Sequence, residues 1–271
     1  MQNQRIQVLI KALLLIGLGL FLYSRLTNGT LFYYINQRFA GLTLLAILGL
    51  IVLGISYQMG RKESDEDGDH AHDDHHGHHH DHHDHDHNHS LSWVGALIVA
   101  LPIILGLAVP PEPLDASAVA NREVDIGAST ANANSRSAMP AAVRAAQSKS
   151  SLDKNILDWL RTFQSTADPI AEVEGEAAQV RGFVYPDDNL TDGDFWVARY
   201  TLSCCVADAG VVALGVRLGD DNIDTDALTQ NQWVEITGTF APGEHQGMPL
   251  PILVAESVRT IDVPSQPYLY P

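Results

Sequence analysis

FAGLTLLAILGLIVLGISYQM, residues 39–59, decides the character of the N-terminal half, because its 21 residues carry no charge. At 1.5 Å per residue, a helix of that length crosses a hydrocarbon core of about 30 Å. Arg38 on one side and Arg61-Lys62 on the other bracket the run. Upstream, VLIKALLLIGLGLFLY (residues 8–23) reads as another span, with Lys11 in its first turn, where a long side chain reaches the headgroups. A cleaved signal peptide is the alternative. Ser24-Arg25-Leu26-Thr27 offers no small-x-small cleavage site, which favours an uncleaved anchor. Downstream, Leu91 to Val109 is uncharged for 19 residues, with Trp93 near one interface, Pro102 inside it as a kink and Pro110-Pro111 as a stop. A soluble core helix rarely stays apolar all round for this long. The expectation is therefore an α-helical membrane region of three spans, two within residues 1–62 and a third at 91–109.

Lys and Arg placement sets the orientation. An N-inside arrangement puts Arg5, Lys11, Arg61 and Lys62 in the cytoplasm and leaves Arg25, Arg38 and Arg122 outside. This is a weak positive-inside bias. It predicts a multi-pass protein of the cell membrane, embedded in lipid, with the N-terminus and residues 63–90 cytoplasmic and the C-terminal domain extracytoplasmic.

Residues 63–90 hold the run ESDEDGDHAHDDHHGHHHDHHDHDHNH. Its histidines are His70, His72, His75, His76, His78, His79, His80, His82, His83, His85, His87 and His89, interleaved with Asp73, Asp74, Asp81, Asp84 and Asp86. Imidazole nitrogen and carboxylate oxygen suit Zn²⁺, Ni²⁺, Co²⁺ or Cu²⁺, and near neutral pH many of these imidazoles are neutral and free to coordinate. Without apolar residues the tract cannot build a core, which predicts disorder without metal. Its irregular spacing points to several weak, exchanging sites. The competing readings are a solvated acidic linker and an engineered tag. The run is internal, mixed with Asp and flanked by spans, which argues against a tag. Zinc is the first choice, by analogy with the His-rich loops of zinc transporters, although Cu²⁺ binds such donors more tightly in vitro.

The formal net charge of −17 argues against nucleic acid, because phosphate binding needs a basic face. There are two cysteines, the adjacent Cys204 and Cys205, which excludes a disulfide framework. Residues 110–150, rich in Ala, Ser, Asn and Pro, read as a tether. Residues 151–271 read as a soluble, mostly-β domain. A helix opens it, with Ser151 or Asp153 as N-cap and Ile156, Leu157, Leu160 and Phe163 at helical spacing, ending before Asp168-Pro169.

The pattern then turns to period two, giving strands at Ala177–Tyr185, Phe195–Cys204, Val211–Leu218, Trp233–Phe240 and Ile252–Val263. Turn signals separate them at residues 186–189, at 219–222 and at Pro242-Gly243. Five short strands and one flanking helix suit an OB-like barrel, with a β-sandwich as the alternative. OB barrels often bind nucleic acid, but residues 151–271 carry 19 acidic and 6 basic side chains, which argues against that use.

Neighbouring side chains of a regular strand point to opposite faces, so two adjacent cysteines in one strand cannot share an ion. Ala207-Asp208-Ala209-Gly210 signals a strand end at the pair, and a bend there turns both sulfurs the same way. Two thiolates with Asp208, or with the lone downstream His245, then satisfy a four-coordinate soft site. A thiol redox couple, a vicinal disulfide and plain packing of small apolar side chains are the alternatives. His245, in a Gly/Pro-rich loop, is expected to be exposed. Arg199 reads as a salt-bridge or surface residue, or else as one that orders the cysteine loop.

At these residues the chain resembles the YcgQ-like family of candidate permease subunits. The resemblance runs through two N-terminal spans, a variable charged or His-rich loop, and a third span ending at Pro110 to Leu114 with Arg122 beyond it. It continues through Gly182-Phe183-Val184-Tyr185, Arg199-Tyr200 leading to Cys204-Cys205-Val206-Ala207-Asp208-Ala209, Trp233-Val234 with Gly238, and a Pro-x-x-Pro-Tyr ending over residues 264–268. It implies pairing with a multi-span permease of the kind related to arsenical exporters and a link to metal supply, and it implies no enzymatic activity. The reading is a non-enzymatic, membrane-anchored accessory subunit of a permease that handles a divalent metal, with zinc first. A membrane-tethered thiol redox protein and a passive metal buffer with an interaction domain are the alternatives.

Excising residues 70–89 is expected to remove most of the weak metal capacity and leave the C-terminal domain folded, since a polar tract contributes no core. Metal stoichiometry measured on the full chain and on the deletion checks this, and equal values reduce the run to a linker.

Overall fold

The computed structural model describes residues 2–59, 93–122, 124–126, 140–186, 194–219 and 228–271. The twelve histidines from His70 to His89, the turns at 187–193 and 220–227, and part of the expected tether lie outside the described residues. The chain divides into two compact units, Met1–Leu31 with Gln37–Pro111, and Phe32–Asn36 with Glu112–Pro271.

The first unit is helical, with α1 at Gln2–Thr27, α2 at Ala40–Met59 and α3 at Trp93–Ala108. Ile6–Thr27 and Gln37–Ser56 are each long and apolar enough to cross a membrane. The third apolar segment is helical through Pro102, but its 16 residues reach only about 24 Å. Small residues bring α1 and α2 together: Ala12 and Ile47 are buried, and Gly54 lies against Ile16. Leu13, Leu42, Leu45, Ile98 and Leu107 are each more than half exposed. So much bare apolar surface suits lipid rather than water, and it marks the unit as membrane-associated.

Among the described residues, the second unit is built on seven strands. These are β1 (Val124–Asp125), β2 (Ala177–Tyr185), β3 (Phe195–Thr201), β4 (Gly210–Leu218), β5 (Trp233–His245), β6 (Met248–Thr260) and β7 (Tyr268–Leu269). β2 pairs antiparallel with β3 and with β5, β3 with β4, and β5 with β6, while β4 pairs in parallel with β6. These pairings close five strands into a ring, so the unit is a β-barrel and not a sandwich. β1 and β7 add short parallel pairings to β4 and β3.

Closure gives the strands two buried faces. Val180, Val197, Leu214, Ile236 and Leu253 fill the inner face with contributions from all five strands. Trp159 and Phe163 join this core and pack edge-on against Phe240 at 4.7 and 5.6 Å between ring centroids. The outer face carries Phe183, Trp196, Tyr200, Ala213 and Ile252, covered by Ala116, Val119 and Tyr268. The first part of the expected tether therefore belongs to the barrel unit and supplies core.

The helix bearing Trp159 spans Ile156–Ser165, and its N-cap is Asn155 rather than Ser151 or Asp153. Asn155 and Asp158 form a reciprocal capping box, and Lys149 pairs with Asp158 at 2.6 Å. Pro242-Gly243 is not a turn. β5 runs through it, Pro242 sits opposite Pro251, and the hairpin turns at Gln246-Gly247, both with positive φ. A bulge between Thr237 and Gly238 leaves Glu256 unpaired in register and brings β5 close to β6.

A Cβ on Gly238 would collide with the Val254 carbonyl oxygen. Gly238→Ala is expected to cost about 2–3 kcal/mol by overpacking. A lowered denaturation midpoint, followed by tryptophan fluorescence of the full-length protein in detergent, checks this, and an unchanged midpoint refutes it.

Candidate functional site

β3 ends at Thr201, three residues before the expected end at Cys204. Beyond buried Leu202 the chain leaves the sheet, passes Ser203, Cys204 and Cys205, and makes a 3₁₀ turn over Val206–Asp208 before β4. Leaving the strand releases the pair from up-down alternation, and the two Sγ atoms lie 3.7 Å apart. Both cysteines are free thiols, Cys204 exposed and Cys205 partly so.

Asp208 organises the loop. Its carboxylate accepts from the Cys204 N–H at 2.7 Å and the Cys205 N–H at 3.2 Å, which makes a small anion-binding concavity. The hydrogen bond that the Cys204 thiol donates to the Asp208 carboxylate, followed by the one it donates to the Cys205 sulfur, pushes that thiol up to about 11. The Cys204 thiol and the backbone amides in turn hold the Asp208 carboxyl below its ordinary range.

The loop is gripped by segments far away in sequence. The Asn36 N–H donates to the Cys204 carbonyl at 2.9 Å, and Asn36 Nδ2 donates to the Leu202 and Ser203 carbonyls at 3.0 and 3.1 Å. The Val206 N–H donates to the Tyr34 carbonyl at 3.0 Å, and Ile35 pairs with Cys205 as an isolated antiparallel bridge. Arg122 donates to the Val206 carbonyl at 3.1 Å and to the Ala209 carbonyl, with its guanidinium 5.9 Å from the Tyr200 ring centroid. The Tyr200 hydroxyl donates to the Asp115 carbonyl at 2.6 Å, and the Leu114 N–H donates to the Tyr268 hydroxyl at 2.8 Å.

Arg199 does not order the cysteine loop. It donates to the Gln266 and Pro267 carbonyls, which fastens the C-terminal tail, and it lies over Trp233. Burial, followed by the nearby Arg181, pulls its pKa down to about 10.

Of the expected site residues, the structure brings together Cys204, Cys205 and Asp208. His245 is not among them. It was expected to be exposed in a loop, but β5 extends to include it, and it is 7% exposed against Trp196 at 5.1 Å between ring centroids. Trp196 lies five residues before the end of β3, about 16 Å from its cysteine end at ~3.3 Å per residue. Among the described residues no group of three or more His, Cys, Asp or Glu side chains is set to hold a metal ion. Asn36 and Tyr34 escape sequence reasoning altogether, since no local pattern ties them to residues 202–206.

An apolar helical region followed by a closed barrel with a vicinal thiol pair defines a membrane-associated β-barrel protein. Residues 10–125 match the DUF1980 N-terminal domain and residues 129–271 the DUF1980 C-terminal domain, and the chain belongs to this family. It is 27% identical to the UPF0703 protein YcgQ of Bacillus subtilis over 96% of this chain and 98% of that one. It is also 25% identical, over 67% of this chain and 74% of the other, to a Streptococcus mutans protein described as a candidate two-component membrane permease complex subunit. No solved structure matches the chain.

Asp208→Asn removes the charge that favours the protonated thiol and replaces one of the two acceptor oxygens by a donor. The Cys204 pKa is expected to fall from about 11 toward its ordinary value of 9.0, so alkylation speeds up at mildly alkaline pH. The pH profile of iodoacetamide labelling in a Cys205→Ser background measures this, and an unmoved midpoint refutes it.

Proposed function

We propose that the chain is a non-enzymatic, membrane-anchored accessory subunit of a permease complex, handling a divalent metal, with zinc first, through its thiol pair and its histidine run. The assignment to a permease complex draws on the name of the Streptococcus mutans relative and on the bare apolar surface of α1–α3, which suits lipid or a membrane partner. In this reading α3 crosses the bilayer as a third span, the N-terminus and histidine run are cytoplasmic, and the barrel is extracytoplasmic. We further read the barrel as OB-like. Counting from β2, its strands follow the order 1-2-3-5-4 around the ring, with the third and fifth parallel.

The observation that carries the metal reading is the 3.7 Å between the sulfurs. A tetrahedral ion with Zn–S bonds of ~2.3 Å has ligand atoms about 3.8 Å apart, so the pair fits two corners without rearrangement. A disulfide would have to close that gap to ~2.05 Å. Two protein sulfurs with Asp208 beside them form an open site, suited to receiving and passing on an ion.

In protein lacking residues 70–89, Cys204→Ser or Cys205→Ser is expected to weaken Zn²⁺ or Cd²⁺ binding at least ~10-fold, with little added by the double replacement, since a hydroxyl is a poor soft-metal ligand. Binding weakens as pH falls, because protons compete for sulfur. An equally tight stoichiometric site in the double Ser variant would sink the metal reading.

A further inference from the structure

The peptide groups around the two cysteines are held from opposite sides. On the amide side, Asp208 accepts from the N–H groups of Cys204 and Cys205. On the carbonyl side, residues 202, 203 and 204 all give their oxygens to Asn36. A peptide plane gripped at both N–H and C=O has little rotational freedom, and the planes on either side of Cys204 and Cys205 fix where their Cβ–Sγ bonds point. Asn36 is 4% exposed, so water is not at hand to replace it. Its side-chain amide is suited to the task because one NH₂ group supplies two donors, here to two successive carbonyls. Aspartate has the same shape and neither donor, and serine has one.

We propose that Asn36, carried by the connection between α1 and α2, is a positioning residue of the thiol pair, turning the loop at 202–206 so that both sulfurs face one way. The α1–α2 connection is then part of the site rather than a simple link between helices. Tyr34 supports the same geometry through its carbonyl, and Ile35 through its bridge to Cys205. The bonds from Asn36 to the loop end on main-chain carbonyls. Its purpose, though not its geometry, rests on the reading of the pair as a soft-metal site.

The test uses full-length protein in nanodiscs, with Asn36→Ala, Asn36→Asp and Asn36→Ser. Dibromobimane, which becomes fluorescent only when it has alkylated two neighbouring thiols, reports the sulfur geometry without metal. Cd²⁺ titration, followed by thiolate charge-transfer absorption, reports the site. The Ala and Asp variants are expected to lose about tenfold in bridging rate and in Cd²⁺ affinity, with Ser between them and wild type, while single-thiol labelling by a maleimide stays unchanged. Normal bridging in folded Ala and Asp variants overturns the inference. Absence of Cd²⁺ binding in wild type overturns the metal reading instead and leaves the bridging arm to decide the role of Asn36. Should the variants fail to fold, Ile35→Cys in a Cys204→Ser background decides: a disulfide to Cys205 under mild oxidant supports the inference, and its absence overturns it.

Discussion

The parallel pairing of β4 with β6 is the contact on which the rest of the barrel unit depends. Gly215–Leu218 against residues 252–255 is the seam that turns an antiparallel meander and a long hairpin into a ring. With the seam made, the five strands have a sealed inside and an outside. The inside is filled by alternate residues of every strand and by Trp159 and Phe163. The outside stays apolar enough to need covering, and the segment after Pro111 together with the C-terminal tail supplies the cover. The same two segments then reach the cysteine loop and the tyrosines beside it.

The residues that carry the family resemblance are scattered over some 150 positions of sequence, and the fold gathers many of them into one network. Leu114 meets Tyr268, Arg122 meets Val206 and Ala209, and Tyr200 meets the chain at Asp115. Nearly all of these bonds end on backbone carbonyls or amides. Their common effect is to hold the path of the chain around Cys204-Cys205 through its backbone.

Much of this was legible in the sequence, for physical reasons that differ between elements. Ala177–Tyr185 and Trp233–Phe240 were plain because one apolar and one polar face alternate along them, and the long apolar runs gave α1 and α2. The strand end at the cysteines was legible from small residues and Asp208. Pro242 misled, because a proline reads as a break, whereas here Pro242 and Pro251 face each other and share one gap in the ladder. That single misreading also hid His245, which became a strand residue instead of a loop residue. Asn36 was beyond reach, since it lies 166 residues from the carbonyl it binds and no periodicity links the two.

Residues 32–36 and 112–271 fold as one unit, so a chain that leaves that unit at Gln37 and rejoins it at Glu112 comes back to the side it left. Crossings in between must therefore be even in number. Were α2 to cross a bilayer, one further crossing would be needed between Met59 and Glu112, and α3, at 16 residues, is the one apolar helix among the described residues there.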